Sequence, residues 1–266
     1  KEAEETPTYD FVPYRFGGFS FTSYADKRRL IERLLLADDE HAWTLTAAGK
    51  AEAEAATQTR VRMDQIARRH THLHGDALAA ETYRRYPYYA IRSEIADRVL
   101  AGDTISLKAI AAARPVSKGL GLCTIGYEGR SLEGYLNRLI QNGVTLLCDV
   151  RRNPLSRKYG FSKGTLSKAC EGVGIRYEHL PELGIDSARR HGLETQADYD
   201  ALFAEYERER LPKESVALAT IERWVLQDGQ RVALTCFESE AYQCHRHCVA
   251  EALERMSGRT LAPTHL

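Results

Sequence analysis

From Leu122 to Met256 the chain alternates short apolar runs with amphipathic stretches, and no other feature narrows its fold as much. The runs at 122–127, 144–150, 175–180 and 231–237 read as strands, and the stretches at 131–141, 163–172, 197–210, 213–227 and 244–256 read as helices. Strands separated by helices of about 10 to 15 residues pair in parallel, because a parallel neighbour is reached only by a long crossover. Right-handed crossovers then cover both faces of the sheet. This part of the chain is therefore expected to be α/β, a mainly parallel three-layer sheet domain.

The strand at 144–150 carries the most chemistry. Val144-Thr145-Leu146-Leu147 reads as buried on both faces, and it ends in Cys148-Asp149. Ligand crevices of open α/β sheets lie beyond the carboxyl ends of their strands, which is where Asp149 and Arg151 fall. Six basic residues then follow without an acid: Arg151, Arg152, Arg157, Lys158, Lys163 and Lys168. Pro154 and Gly160 keep the segment out of a regular helix until about Ser162. Such a stretch reads as a contact for phosphate groups or, alternatively, as a solvated charged loop.

A length of 266 residues suffices for two domains. The 37 basic and 37 acidic residues leave no net charge, so binding to nucleic acid has to come from local patches. No apolar run has the length of a membrane span, and the acidic start lacks the basic-then-apolar pattern of a secretion signal. A cytoplasmic protein with no membrane partner is expected, and its oligomeric state is left open. The chain opens on Lys1 rather than Met, which reads as a processed or incomplete start. Of the six cysteines, Cys123, Cys148 and Cys236 lie in strand-like runs as small buried hydrophobes, and in a reducing compartment disulfides are not expected.

The N-terminal half is mostly helical in pattern. Tyr24, Leu30, Ile31, Leu34 and Leu35 mark a helix with Ser23 as its N-cap, followed by a polar turn at Asp38-Asp39-Glu40 and a strand from Ala42 to Leu45. With Leu45-Thr46 and Gly49 opening the next helix, this order resembles the latter part of winged-helix domains. The segment Phe11 to Ser20, with Pro13, Tyr14, Gly17, Gly18 and Phe19, resembles the entry of helical modules associated with toxin–antitoxin and defence systems, or reads as an aromatic-rich loop. His70, His72 and His74 alternate as strand ligands would, but no nearby cysteine completes a set. Tyr83 to Tyr89 interleaves aromatics with Arg84 and Arg85, which suits base stacking and, slightly better, an aromatic interface between domains. Ala111 to Gly121 is the linker candidate, dividing a winged-helix-like nucleic-acid-binding module at 1–118 from an α/β domain at 119–266.

Three strand ends carry polar residues: Gly126-Tyr127-Glu128-Gly129, Asp149-Val150-Arg151 and Cys236-Phe237-Glu238. A fourth group, Cys244-His245-Arg246, opens the last helix. Taken as Thr124-Ile125-Gly126-Tyr127, Asp149-Val150-Arg151 with Pro154 and Ser156, Tyr177 with Leu180-Pro181 and Leu183-Gly184, and Cys236, Glu238 and Cys244-His245-Arg246, these motifs in this order resemble the domain-of-unknown-function 488 family over about residues 122–256. The resemblance implies an α/β domain, met in contexts that look nucleic-acid-related, with the matched polar residues as its active site.

Two carboxylates beside cationic residues suit hydrolysis of a glycosidic bond. Asp149 and Glu238 are the candidate pair, with Arg151 and Arg246 holding phosphates and Glu128, Arg152, Arg157, Lys158, Cys244 and His245 completing the substrate site. Tyr127, Tyr159 and Phe161 are candidates to receive an extruded base. Alternatively, Asp149 only pairs with Arg151 or Arg246. The expectation is a DNA-directed hydrolase of DNA glycosylase type, needing no cofactor and no metal, in repair or phage defence. Its alternatives are a non-catalytic DNA-binding regulator or nucleotide sensor, and a thiol enzyme using Cys244. A zinc site from Cys236, Cys244, His247 or Cys248 lacks the usual paired spacing, and neighbours Cys244 and His245 on one helix would point about 100° apart.

Overall fold

The computed structural model describes residues 8–39, 42–55, 57–186, 189 and 192–266. The chain divides into two compact units between Arg114 and Pro115, inside the Ala111–Gly121 stretch. Glu40 of the expected polar turn lies outside the described residues.

The N-terminal unit opens with an antiparallel hairpin, β1 (Val12–Tyr14) and β2 (Gly17–Phe19), in the segment that reads as the entry of a helical module or as an aromatic-rich loop. Gly17 makes its turn at φ +115°, and an added Cβ there would stand 2.9 Å from the Tyr83 ring. Helix α1 (Phe21–Glu32) follows at once, capped by Ser20 and not by Ser23. The Ser20 backbone is extended, and its side chain accepts the Ser23 N–H. A second antiparallel hairpin comes next, β3 (Leu36–Asp38) and β4 (Trp43–Leu45), of which only the latter strand was legible. Helix α2 (Ala47–Ala55) starts on Thr46, whose hydroxyl accepts the Gly49 N–H and donates to the Leu34 carbonyl. A Cβ on Gly49 would meet the Leu35 carbonyl oxygen at 2.0 Å, which accounts for the Leu-Thr-x-x-Gly spacing. Helices α3 (Thr57–His70), α4 (Gly75–Arg85), α5 (Ala96–Val99) and α6 (Thr104–Ala112) complete the unit. Tyr83 is buried within it and meets the Ser93 hydroxyl, while Tyr89 packs edge-on against Phe11. His72 and His74 are exposed.

The C-terminal unit holds five parallel strands: β5 (Gly121–Gly126), β6 (Leu146–Asp149), β7 (Arg176–His179), β8 (Arg231–Cys236) and β9 (Thr264–His265). Their spatial order is β7-β6-β8-β5-β9, so β8 is inserted between the two strands that open the domain. Helices α7 (Leu132–Gln141) and α8 (Lys163–Gly172) link β5 to β6 and β6 to β7. Helices α9 (Gln196–Glu205) and α10 (Ser215–Leu226) return the chain to β8, and α11 (Arg246–Met256) leads on to β9. Right-handed crossovers that run outward and then back place the two helix sets on opposite faces of the sheet.

The packing agrees. Leu122, Leu146, Cys148, Val232 and Leu234 join residues of α9, α10 and α11 in one core. Their strand neighbours point the other way, where the Tyr135 hydroxyl of α7 donates to Thr235 at 2.7 Å. The expected three-layer α/β architecture is the one observed.

Candidate functional site

Asp149 ends β6 on the α7 side of the sheet, in register with Thr235 of β8. Its carboxylate is fully buried and takes the Arg151 guanidinium from both ends, Nε at 2.8 Å and Nη2 at 2.5 Å. The Arg151 backbone N–H adds a contact at 3.1 Å and the Tyr177 hydroxyl another at 2.6 Å. Arg151 in turn donates to the Tyr127 hydroxyl and to the Phe161 carbonyl, both at 2.9 Å. Burial disfavours the Arg151 charge, but its bonds to Asp149 outweigh this and hold it more firmly protonated than usual. Burial and the Asp149 charge push the Tyr177 phenol up. This is a closed, neutralised pair, and it corrects the expectation of Asp149 as a catalytic acid or base. A carboxylate with four donors and no solvent has no room to activate water.

The aromatic candidates are similarly occupied. Tyr127 and Phe161 stack on each other, centroids 4.3 Å apart and 9° between planes, and both are buried, so they offer no face to an extruded base. Tyr159 is half-buried. Arg246, expected as a phosphate holder, is 1 % exposed and braces the loop after β8 through the Glu238 and Ser239 carbonyls at 2.5 and 2.8 Å. Glu128 accepts the Ser239 N–H at 2.9 Å, and Lys158 donates to the Tyr127 carbonyl at 3.0 Å. Arg152 and Arg157 are exposed, Arg152 in an ion pair with Asp186.

A second cluster forms on the opposite face. Cys236 is the last residue of β8 and points toward α11. Its Sγ lies 3.8 Å from His245 Nδ1, and Cys244 Sγ lies 4.0 Å from the same nitrogen. All three residues are buried. His245 Nε2 lies 3.0 Å from the Val150 carbonyl, which can only accept. The imidazole therefore carries its proton on Nε2 and turns Nδ1 toward the sulfurs. Glu238 Oε2 approaches Cys236 Sγ at 3.5 Å.

The Cys244 thiol donates toward Cys236 and, against burial, holds the Cys236 thiol well below its usual range; burial and Cys236 push Cys244 up. Burial opposes charge on His245, but Cys236 raises its affinity for a proton. Burial and the neighbouring Cys236 likewise raise Glu238.

Cys244 and His245 converge because α11 begins at Arg246, not at Cys244. Cys244 is extended (φ −139°, ψ 133°) and His245 is only the N-cap, so the helical divergence of neighbours does not apply. His247 and Cys248 face each other elsewhere, Sγ to Nε2 3.4 Å. Asp149 and Glu238 thus belong to clusters on opposite faces of the sheet. Sequence reasoning also passed over Phe237 and Tyr242, which are 42 % and 55 % exposed in the loop that carries Glu238.

Residues 131–253 match the family described as Domain of unknown function DUF488. This match lies within the C-terminal unit. The matched span runs past Asp149, Arg151, Cys236 and Cys244-His245-Arg246, whereas Thr124–Tyr127 precede it. No curated protein and no solved structure matches the chain. No helix among the described residues is long and apolar enough to cross a membrane.

Proposed function

We propose that the C-terminal unit is a hydrolase acting on DNA or a nucleotide-containing substrate, with Glu238 as its acid–base group and N-glycosidic cleavage of a damaged or modified base as its reaction. The observation that carries the reading is the position of Glu238: half-buried, just past the carboxyl end of the central strand, where open α/β sheets keep their ligands. Exposed Phe237 and Tyr242 flank it as stacking surfaces, and exposed Arg152 and Arg157 follow the neighbouring strand as cations for phosphate.

In the reaction, water oxygen bonds to the anomeric carbon as the carbon–nitrogen bond breaks. The bonding electron pair leaves with the base, Glu238 takes a proton from the water, and that proton ends on the departing nitrogen. Asp149 and Arg151 act beneath this site as positioning residues: they fix the chain on either side of Val150, which follows β6 and whose carbonyl orients His245. The test is incubation with duplexes and nucleosides carrying different modified bases, followed by mass analysis for released base. Release that is lost in Glu238→Gln supports the proposal. No release from any substrate, or undiminished release by the variant, overturns it. A thiol enzyme is the second reading, favoured by the buried Cys236–His245 contact, and its nucleophile would be Cys236 rather than Cys244.

A further inference from the structure

We infer that Cys236, Cys244 and His245 form a site for one zinc-type divalent cation, bound through both sulfurs and His245 Nδ1. Their ligand atoms all lie within 4.8 Å of one another, among the described residues the group of histidine, cysteine and acidic side chains that approach in this way. Tetrahedral zinc with bonds of about 2.3 Å to sulfur and about 2.0 Å to nitrogen sets its ligand atoms about 3.5 to 3.8 Å apart. The observed sulfur–nitrogen separations of 3.8 and 4.0 Å lie within a few tenths of an ångström of that figure, and the sulfurs are within 4.8 Å of each other.

The surroundings suit a metal as well as the ligand atoms do. A metal-bound histidine needs its second nitrogen held by an acceptor, and the Val150 carbonyl at 3.0 Å from Nε2 does this. Three buried ligands leave one tetrahedral position open, and the acidic group at the cluster is Glu238, whose Oε2 lies 3.5 Å from Cys236 Sγ. A bound cation would displace the thiol protons and neutralise the resulting thiolates, and two sulfurs with one imidazole select zinc or another soft transition ion over magnesium or calcium. The loop is built to bring these groups in. Arg246 ties the carbonyls of Glu238 and Ser239, and the extended Cys244 turns back onto β8.

As a partner for Glu238 in handling water, the cation rests on the hydrolase reading; its binding does not. The test is therefore made without substrate. The full chain is stripped with a chelator under reducing conditions, then offered zinc or cobalt(II) alone, with metal content measured by mass spectrometry and cobalt by its visible and sulfur charge-transfer absorption. One metal per chain, with thiolate-to-cobalt bands, is expected. Since losing even an outer-shell partner costs about 10- to 100-fold in affinity, Cys236→Ser, Cys244→Ser and His245→Gln should each cost about a hundredfold or more. Cys248→Ser should bind as the parent does, and circular dichroism checks that each variant is folded. Absence of stoichiometric binding in the parent chain, bands without sulfur character, or binding indifferent to Cys236→Ser and Cys244→Ser in folded protein would overturn the inference. Metal binding without base release would leave the site standing and sink the hydrolase.

Discussion

At the scale of single residues, the two carboxylates marked as a pair in the sequence have different lives. Asp149 is saturated by Arg151 and Tyr177 in the dry interior, so its removal is a stability event. Leaving Arg151 charged and unpaired should cost about 3–5 kcal/mol in Asp149→Asn, read as a lower denaturation midpoint in urea. If Asp149→Asn unfolds at the parent's urea concentration, the clamp has been misjudged. The residue types were legible: an Asp followed two positions later by an Arg, a Cys two before a Glu, a Cys-His-Arg run. What could not be read was direction. Asp149 and Cys236 sit near the ends of adjacent strands, yet pleat parity sends them to opposite faces, and a one-residue difference in strand end decides it. Likewise, whether Cys244 and His245 converge depends on a helix starting two residues later than its apolar pattern suggests.

At the scale of elements, strands β5 to β8 and helices α7 to α11 were legible because each carries its own period. Most boundaries fell within two residues of the pattern; the 197–210 helix departed further, since α9 gives way after Glu205 to a π turn over Tyr206–Arg210. Strand β9 was not legible, because two residues carry no alternation; it is held by pairing to β5 and by the Leu266 N–H on the Thr124 carbonyl. The first N-terminal hairpin was missed for a similar reason, with three residues per strand and a turn set by Gly17.

One glycine couples two of these elements. A Cβ on Gly126, the last residue of β5, would stand 1.8 Å from the Glu238 carbonyl oxygen, so the loop after β8 closes only over a bare backbone. In Gly126→Ala the loop has to move, and a loss of about 1–3 kcal/mol is expected on chemical unfolding. Unchanged stability would mean that the loop does not bear on β5.

At the scale of the whole molecule, charge is balanced overall, and donors sit beside several carboxylates in both units. In the N-terminal unit Asp103 is held below the ordinary carboxylate range, first by its bond to Arg84 and then by the Ser106 N–H that it caps. In the C-terminal unit Asp186 is lowered chiefly by Arg210, and Asp198 by the Thr195 backbone N–H in a capping box. Each folded group binds its proton less readily than the unfolded one. Their stabilisation is therefore complete above the ordinary value of 3.8 and is lost as pH falls through the lower folded values. Thermal unfolding should show a falling midpoint below about pH 4. A midpoint flat down to about pH 2.5 would contradict this.

The insertion of β8 between β5 and β6 also governs how the molecule is made. While the ribosome has delivered only the first four-fifths of the chain, both of the earlier strands present unsatisfied inner edges, the condition under which nascent proteins stick to one another. The segment that seals this gap is the one that brings Cys236. A half-made domain therefore has no cysteine–histidine centre, and whatever chemistry resides there begins only when the sheet is whole.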